Sequence, residues 1–392
     1  MTRSLLSRRH LMLGMAGLGV TFAGRVEAQA RSDAPKLVVL IARGAMDGLS
    51  VTVPYTDSDY AGLRGALAIG APGTPDGALA MAEGFGLHPA LNGLHALHGA
   101  GQLRFAPAVA IPARIRSHFD AQDVLESGGE AVRGQTDGWL NRALAASGGR
   151  GLSGLSIGAQ TPLILRGEAP TSSWAPGGDV DREDRLVTQL MDLYADDPLL
   201  GPGLARGLQT EAMASASGDG TVLRRNDIDG LGQAIARLMT GEEGADVVAV
   251  SVDGWDTHAR QAGQLQLRLQ GLDTLITGLR TGMGETWSRT VLVLATEFGR
   301  TVRVNGTGGT DHGTGSSLLL AGGALKVGGP IGDWPTLAEA RLFEGRDLTP
   351  TLDVRAVFKG VLRDHLGIDR AALDTRVFPD SGREAPPVDG LV

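Results

Sequence analysis

The stretch Lys36–Gly48, KLVVLIARGAMDG, carries the first decision about fold. Leu37 to Ala42 is an unbroken apolar run between Pro35 and Gly44. A run this short, rich in branched residues and closed by turn formers, reads as a strand buried on both faces. Strands of that type belong to parallel sheets covered by helices. Asp47 follows the run directly, and ligands of such sheets gather beyond the carboxyl ends of the strands.

The same grammar recurs down the chain. LRFAPAVAI (103–111), DVVAVSVDG (246–254), TVLVLATEFG (290–299) and SSLLLAGG (316–323) are comparable runs. Between them lie amphipathic stretches. HPALNGLHALHGAG has apolar residues at helical spacing, and HARQAGQLQLRLQGLDTLITGLRTG places Leu265, Leu269, Leu272, Ile276 and Leu279 on one face. Strands alternating with helices predict an α/β fold with a mostly parallel central sheet sandwiched by helices. Residues 148–240 read as a mostly helical insertion on a single domain spanning 31–392. Trp139 reads as a packing anchor.

Polar residues cluster after several of these runs. Arg43 and Asp47 follow the first; Asp256 and His258 follow VSVDG; Glu297 and Arg300 follow TVLVLA; Asp311 and His312 sit in GGTDHGTG, just before SSLLLA. A further group, Arg116, Ser117 and His118, follows the 103–111 run at the start of a predicted helix. Asp, Glu and His together suit zinc, manganese, magnesium or calcium. Each pair alone also fits an ordinary surface turn; their convergence is the sharper expectation. Ser117 fits two roles, a helix N-cap or a nucleophile whose adduct is a phosphate-like anion. The arginines either balance neighbouring carboxylates or clamp an anionic group. His88, His95, His98 and His365 read as helix-associated rather than ligating.

Bulk properties narrow the field. The formal charge is −8, which argues against nucleic acid as a partner. The chain has no cysteine, so disulfides, thiolate metal sites and cysteine nucleophiles are excluded. Neither a phosphate-cradling G-x-x-x-x-G-K-[ST] loop nor H-E-x-x-H occurs. A serine presented on a nucleophile elbow is not expected either.

The N-terminus predicts an address. SRRHLMLGMAGLGVTFAGRVEAQA (7–30) pairs Arg8 and Arg9 with a short, glycine-rich apolar run and ends in small residues. This resembles a twin-arginine signal peptide over residues 1–30, cleaved near Ala30, and implies the twin-arginine export machinery as a partner and a periplasmic or secreted protein. The apolar run is too weak for a stable membrane span. Without residues 1–30, which hold four Arg and one Glu, the chain carries −11.

Read in order, LIARGAMDGLSVTVPY, LHPALNGLHALHGAGQLRFAPAVA, RSHFDAQDVLESG, DGWLNRAL, VDGWDTHARQ and LATEFGRTVRVNGTGGTDHGTGSSLLLAGG resemble the bacterial family called domain of unknown function 1501. That family is similar to the alkaline phosphatase and sulfatase superfamily. The resemblance covers nearly the whole mature chain. It implies an alkaline-phosphatase-like core and a binuclear metal centre that holds a phosphate or sulfate ester, small or polymeric. It implies Asp47, Asp256, His258, Glu297, Asp311 and His312 as the metal site, Ser117 as nucleophile and His118 as proton donor. Arg43, Arg116 and Arg300 would bind the anion. Two departures stand out: Asp256-x-His258 is shorter than the usual Asp-x-x-x-His, and Glu297-Phe298 replaces an Asp-His pair. One metal site is easier to build from these residues than two. The implied function is a metal-dependent ester hydrolase; the alternative is a non-catalytic binding or assembly protein that kept the fold.

Overall fold

The computed structural model describes residues 33–158, 160–176, 185–194, 197, 200–215, 228–241 and 244–392. The predicted signal peptide and its cleavage site lie outside the described residues.

The chain opens with β1 (Lys36–Arg43), followed by three short strands, β2 (Thr52–Val53), β3 (Leu79–Ala80) and β4 (Gly86–Leu87). Then come β5 (Leu103–Ala110), β6 (Gly154–Ile157), β7 (Thr171–Trp174), β8 (Val247–Asp253), β9 (Thr290–Ala295), β10 (Ser316–Ala321) and β11 (Leu352–Asp353). Eight of them form one sheet in the order β11-β5-β10-β9-β1-β8-β6-β7, while β2, β4 and β3 form a small separate sheet. β1 lies in the interior of the large sheet, pairing in parallel with β8 and β9. Its continuous apolar run follows from that position: no face is left for water.

The two faces alternate along β1. Leu37, Val39 and Ile41 pack with residues of the helices His118–Ser127, Trp139–Ala146 and Val354–Asp364. Val38, Leu40 and Ala42 pack with those of Asn92–Gly99, Ile228–Thr240 and Gln261–Met283. The period of two delivers one side chain to each layer in turn. Full burial of such a residue contributes about 1.5–3 kcal/mol, so a polar side chain on either face would forfeit a large share of the strand's stabilisation. All five leucine and isoleucine positions expected on the inner face of the 261–283 helix are buried. Trp139 stacks on Phe358 with ring centroids 4.7 Å apart.

One strand runs against the others. β10 is antiparallel to both of its neighbours, β5 and β9. The carboxyl ends of β1, β5, β8 and β9 therefore share one edge of the sheet, and β10 begins there rather than ending there. This is why residues preceding β10 meet residues that follow the other strands.

The region expected to be a mostly helical insertion differs in its first part. β6 and β7 extend the main sheet beyond β8, and the helices Arg185–Tyr194, Leu200–Ser215 and Ile228–Thr240 follow. GLSI and TSSW are too short and too poor in long apolar residues to announce strands; pairing with β8 supplies what their composition lacks. Among the described residues no helix is long and apolar enough to cross a membrane.

Candidate metal centre

Four loops meet at the carboxyl edge. The segment after β5 starts a helix with His118, the segment after β8 carries Asp256 and His258, β9 is followed by Glu297, and the segment before β10 carries His312. The glycines of the last loop are required by close approach. A Cβ on Gly309 would stand 2.3 Å from the His258 carbonyl, and one on Gly313 would stand 2.4 Å from the Arg300 carbonyl carbon. Both are below any tolerated contact, so only glycine lets this loop lie against 256–260 and 299–301.

His118, Asp256 and His312 each offer an atom within 4.8 Å of the other two. His312 Nε2 lies 3.0 Å from His118 Nε2 and 3.2 Å from Asp256 Oδ1, and His118 Nε2 lies 3.4 Å from Asp256 Oδ2. His258 joins from the exposed side, its Nε2 3.0 Å from His312 Nε2 and 2.9 Å from Asp256 Oδ1. Ligand atoms around one tetrahedral zinc stand about 3.3 Å apart, given metal–nitrogen bonds of about 2.0–2.1 Å.

The outer nitrogens fix the tautomers. His118 Nδ1 lies 2.8 Å from Glu297 Oε1, and His312 Nδ1 lies 2.8 Å from the Arg116 carbonyl. An ionised carboxylate and a carbonyl only accept, so both Nδ1 atoms carry hydrogen and both Nε2 atoms of the neutral rings present lone pairs. Two lone pairs facing at 3.0 Å repel unless a proton or a cation lies between them. Imidazoles oriented by carboxylate or carbonyl through the far nitrogen are the usual arrangement of metal-binding histidines. The residues present therefore fit a divalent cation held by His118, His312 and Asp256, with His258 adjoining.

Electrostatics follow from the same contacts. The bond to Glu297 raises the His118 pKa, against burial. Burial pushes the Asp256 carboxyl up, but the hydrogen bond and charge of Arg300, with the neighbouring imidazoles where protonated, outweigh it and hold it below the usual range. Burial also opposes ionisation of Glu297, yet His118, Gln122 and the Gly44 N–H hold it low. Asp311 is held low chiefly by Asn305, with His258 contributing.

Several expected roles move. Glu297 is wholly buried and its Oε1 already accepts from His118, Gln122 and the Gly44 N–H; it orients the His118 ring rather than facing the cluster. Asp311 stands 3.4 Å from His258 Nδ1, outside the converging atoms. Asp47 lies apart, its Oδ2 taken by Arg64, Ser50 and Gln261. His118, expected as a proton donor, sits inside the cluster. Ser117 is exposed at the N-cap position and makes no side-chain capping bond, which removes the capping role. The arginines are all paired: Arg43 with Glu126, Arg116 with Asp347 and Glu344, Arg300 with Asp256.

Sequence reasoning missed Gln122, Gln261, Thr310 and Arg64. Gln261 closes the VDGWDTHARQ motif and was readable there as a polar residue opening a helix; Arg64 has no signal, because it follows none of the apolar strand runs and belongs to none of the motifs. Phe298, next to Glu297, stacks on the His118 ring with centroids 4.9 Å apart and walls one side of the cluster. The spelling G-x-S-x-G does occur at Gly154–Gly158, but Ser156 is fully buried within β6. It is a strand residue, not an exposed nucleophile on a strand-to-helix turn.

Fold and site define an α/β protein with a histidine–carboxylate cluster of metal-ligating character at the carboxyl edge of its sheet. The chain belongs to the family described as "Protein of unknown function (DUF1501)", which matches residues 34–377. A search of curated proteins returned no match. Similar solved structures include the C-terminal periplasmic domain of EptC from Escherichia coli in complex with Zn, at 10% identity over 92% of this chain and 91% of that one, with a TM-score of 0.43. Lipoteichoic acid synthase LtaP from Listeria monocytogenes is similar at 7% identity over 94% and 81%, with a TM-score of 0.38. The alkaline phosphatase of the Antarctic bacterium TAB5 is similar at 11% identity over 74% and 91%, with a TM-score of 0.35. Likeness at this level carries no activity, substrate or metal across to this chain.

Proposed function

We propose that this protein is an exported, metal-dependent hydrolase of phosphate or sulfate esters. The observation that carries the reading is the convergence of Nε2 lone pairs from His118 and His312 with the Asp256 carboxylate, each held by its own outer partner. A divalent cation bound there supplies charge for the anionic oxygens of an ester and lowers the pKa of an adjacent hydroxyl. The chain's own residues do the rest. Glu297 and the Arg116 carbonyl keep the two imidazoles aimed inward. Arg300 fixes Asp256 through a 2.7 Å bond. Ser117 presents a free hydroxyl beside His118 at a helix N-terminus, where unpaired backbone N–H groups favour an anion. It is the nucleophile of this reading. The leader resembling a twin-arginine signal supports export to the periplasm or beyond.

One observation favours the alternative, a binding or assembly protein without turnover: Arg43, Arg116 and Arg300 are all neutralised by carboxylates, so none is an uncommitted anion clamp. The two readings part in one experiment. The folded mature protein, purified without chelator and then loaded with zinc or manganese, is assayed on mono- and diesters of phosphate and sulfate. Turnover that Ser117→Ala abolishes supports the hydrolase; bound metal without turnover on any class overturns it in favour of the binding protein.

A further inference from the structure

We infer that the centre holds one divalent cation, and that the buried guanidinium of Arg64 permanently supplies at Asp47 the positive charge a second ion would bring. This rests on the metal reading of His118, Asp256 and His312 and goes beyond it by fixing the number of ions and the role of Asp47.

The resemblance implied a binuclear centre with Asp47 as a ligand. The structure gives Asp47 other partners. Asp47 is 1% exposed and Arg64 0%. Asp47 Oδ2 accepts from Arg64 Nη2, from Gln261 Nε2 and, at 2.8 Å, from Ser50 Oγ. Arg64 is held from its other side as well: Nη1 donates to the carbonyls of Thr301 and Val302, both at 3.3 Å. The guanidinium is thus locked between a carboxylate and two carbonyls, and a divalent ion at Asp47 would have to sit against a fixed positive charge. Every group around Oδ2 is a donor, whereas a cation needs a shell of acceptors.

Two atoms of the pair have no partner, Asp47 Oδ1 and Arg64 Nε. They are an acceptor and a donor of the same ion pair. A water can serve either atom; a metal ion would serve only the carboxylate and leave the N–H buried and unpaired.

Asp47 still reaches the centre, as a positioning residue. Gln261 Oε1 accepts from Thr257 at 3.1 Å and from Thr310 at 2.7 Å. Thr310 Oγ1 accepts from Arg300 Nε at 3.1 Å, and Arg300 Nη1 donates to Asp256 Oδ1 at 2.7 Å. Asp47, Gln261, Thr310 and Arg300 therefore form one chain of contacts that ends on a ligand.

The test is metal stoichiometry. The mature protein is saturated with zinc, or separately manganese, freed of excess ion, and its metal content measured by mass spectrometry against protein concentration. The expected result is one ion per chain. Two ions per chain overturns the inference and leaves the metal reading standing; none overturns both. Chelator competition on Asp47→Asn and His312→Ala supplies the second readout. Asp47→Asn is expected to weaken binding by about tenfold, as loss of a positioning partner does, while still holding one ion per chain at saturation; His312→Ala, which removes a ligand, is expected to lose more than about a hundredfold. Loss of an ion in Asp47→Asn overturns the inference. The wild-type stoichiometry decides the matter even where that variant does not fold.

Discussion

His118 and His312 come from segments nearly two hundred positions apart, yet their Nε2 atoms face each other at 3.0 Å. Each ring is turned inward by a hydrogen bond at its opposite nitrogen, one to a buried carboxylate and one to a backbone carbonyl. The two rings are held facing each other by groups that do not themselves belong to the cluster.

Glu297→Gln tests that arrangement. The amide keeps the size of the side chain but removes the charge that holds His118 Nδ1–H. Zinc affinity, read by chelator competition, is expected to fall about 10–100-fold. Unchanged affinity would show that the Glu297 contact does not tune the ligand.

Arg64→Ala tests the ion pair at Asp47. Both side chains are buried, so removing one leaves an uncompensated charge, at a cost of about 3–5 kcal/mol. Urea unfolding is expected to show that loss. The double variant Arg64→Met with Asp47→Leu is expected to be more stable than Arg64→Ala, because no charge is left behind. Additive losses in the pair would contradict this account.

Ser117→Ala is expected to lower kcat by more than about a thousandfold on any ester the wild type turns over, with the metal content unchanged. A variant that retains full kcat would remove Ser117 as nucleophile and point to water in that role.

His88 predicts a pH dependence away from the centre. Burial depresses its pKa from 6.5 to about 4, only partly opposed by the charge of Asp47. Its Nδ1 accepts from the Ala90 N–H at 3.0 Å, a bond that protonation removes. Between those two values the unfolded chain binds a proton that the folded chain does not, so stability falls as pH drops from about 6.5 toward 4. The contribution is about 3 kcal/mol and is fully present above pH 6.5. His88→Asn keeps an acceptor for Ala90 and removes the titration; denaturant unfolding across this range is expected to show a flatter profile. An unaltered slope would assign it to other groups.

The strands most legible in the sequence were those buried on both faces. Leu37–Ala42 needed no alternation to be recognised, because a β1 position inside the sheet tolerates no polar residue on either side. β6 and β7 escaped notice because at the sheet's margin pairing, not composition, makes them strands. His118, Asp256, His258 and His312 were legible as candidates because each stands beside a strand end or start. Their division of labour was not: Glu297 and Asp256 are both carboxylates after apolar runs, and only their surroundings separate the one that orients the His118 ring from the one that faces the cluster.

Sequence by itself determined the α/β character of this protein, the residue types at the carboxyl edge and the glycines that let the 308–315 loop close on its neighbours. These depend on local pattern: apolar run length, the residues that follow, and the space a Cβ needs. The tertiary structure decided that β10 runs against β5 and β9, bringing His312 to the edge from the front of its strand. It also decided that Arg64 claims Asp47. Strand direction and buried charge pairing are set by partners distant in the chain, and no local stretch carries them.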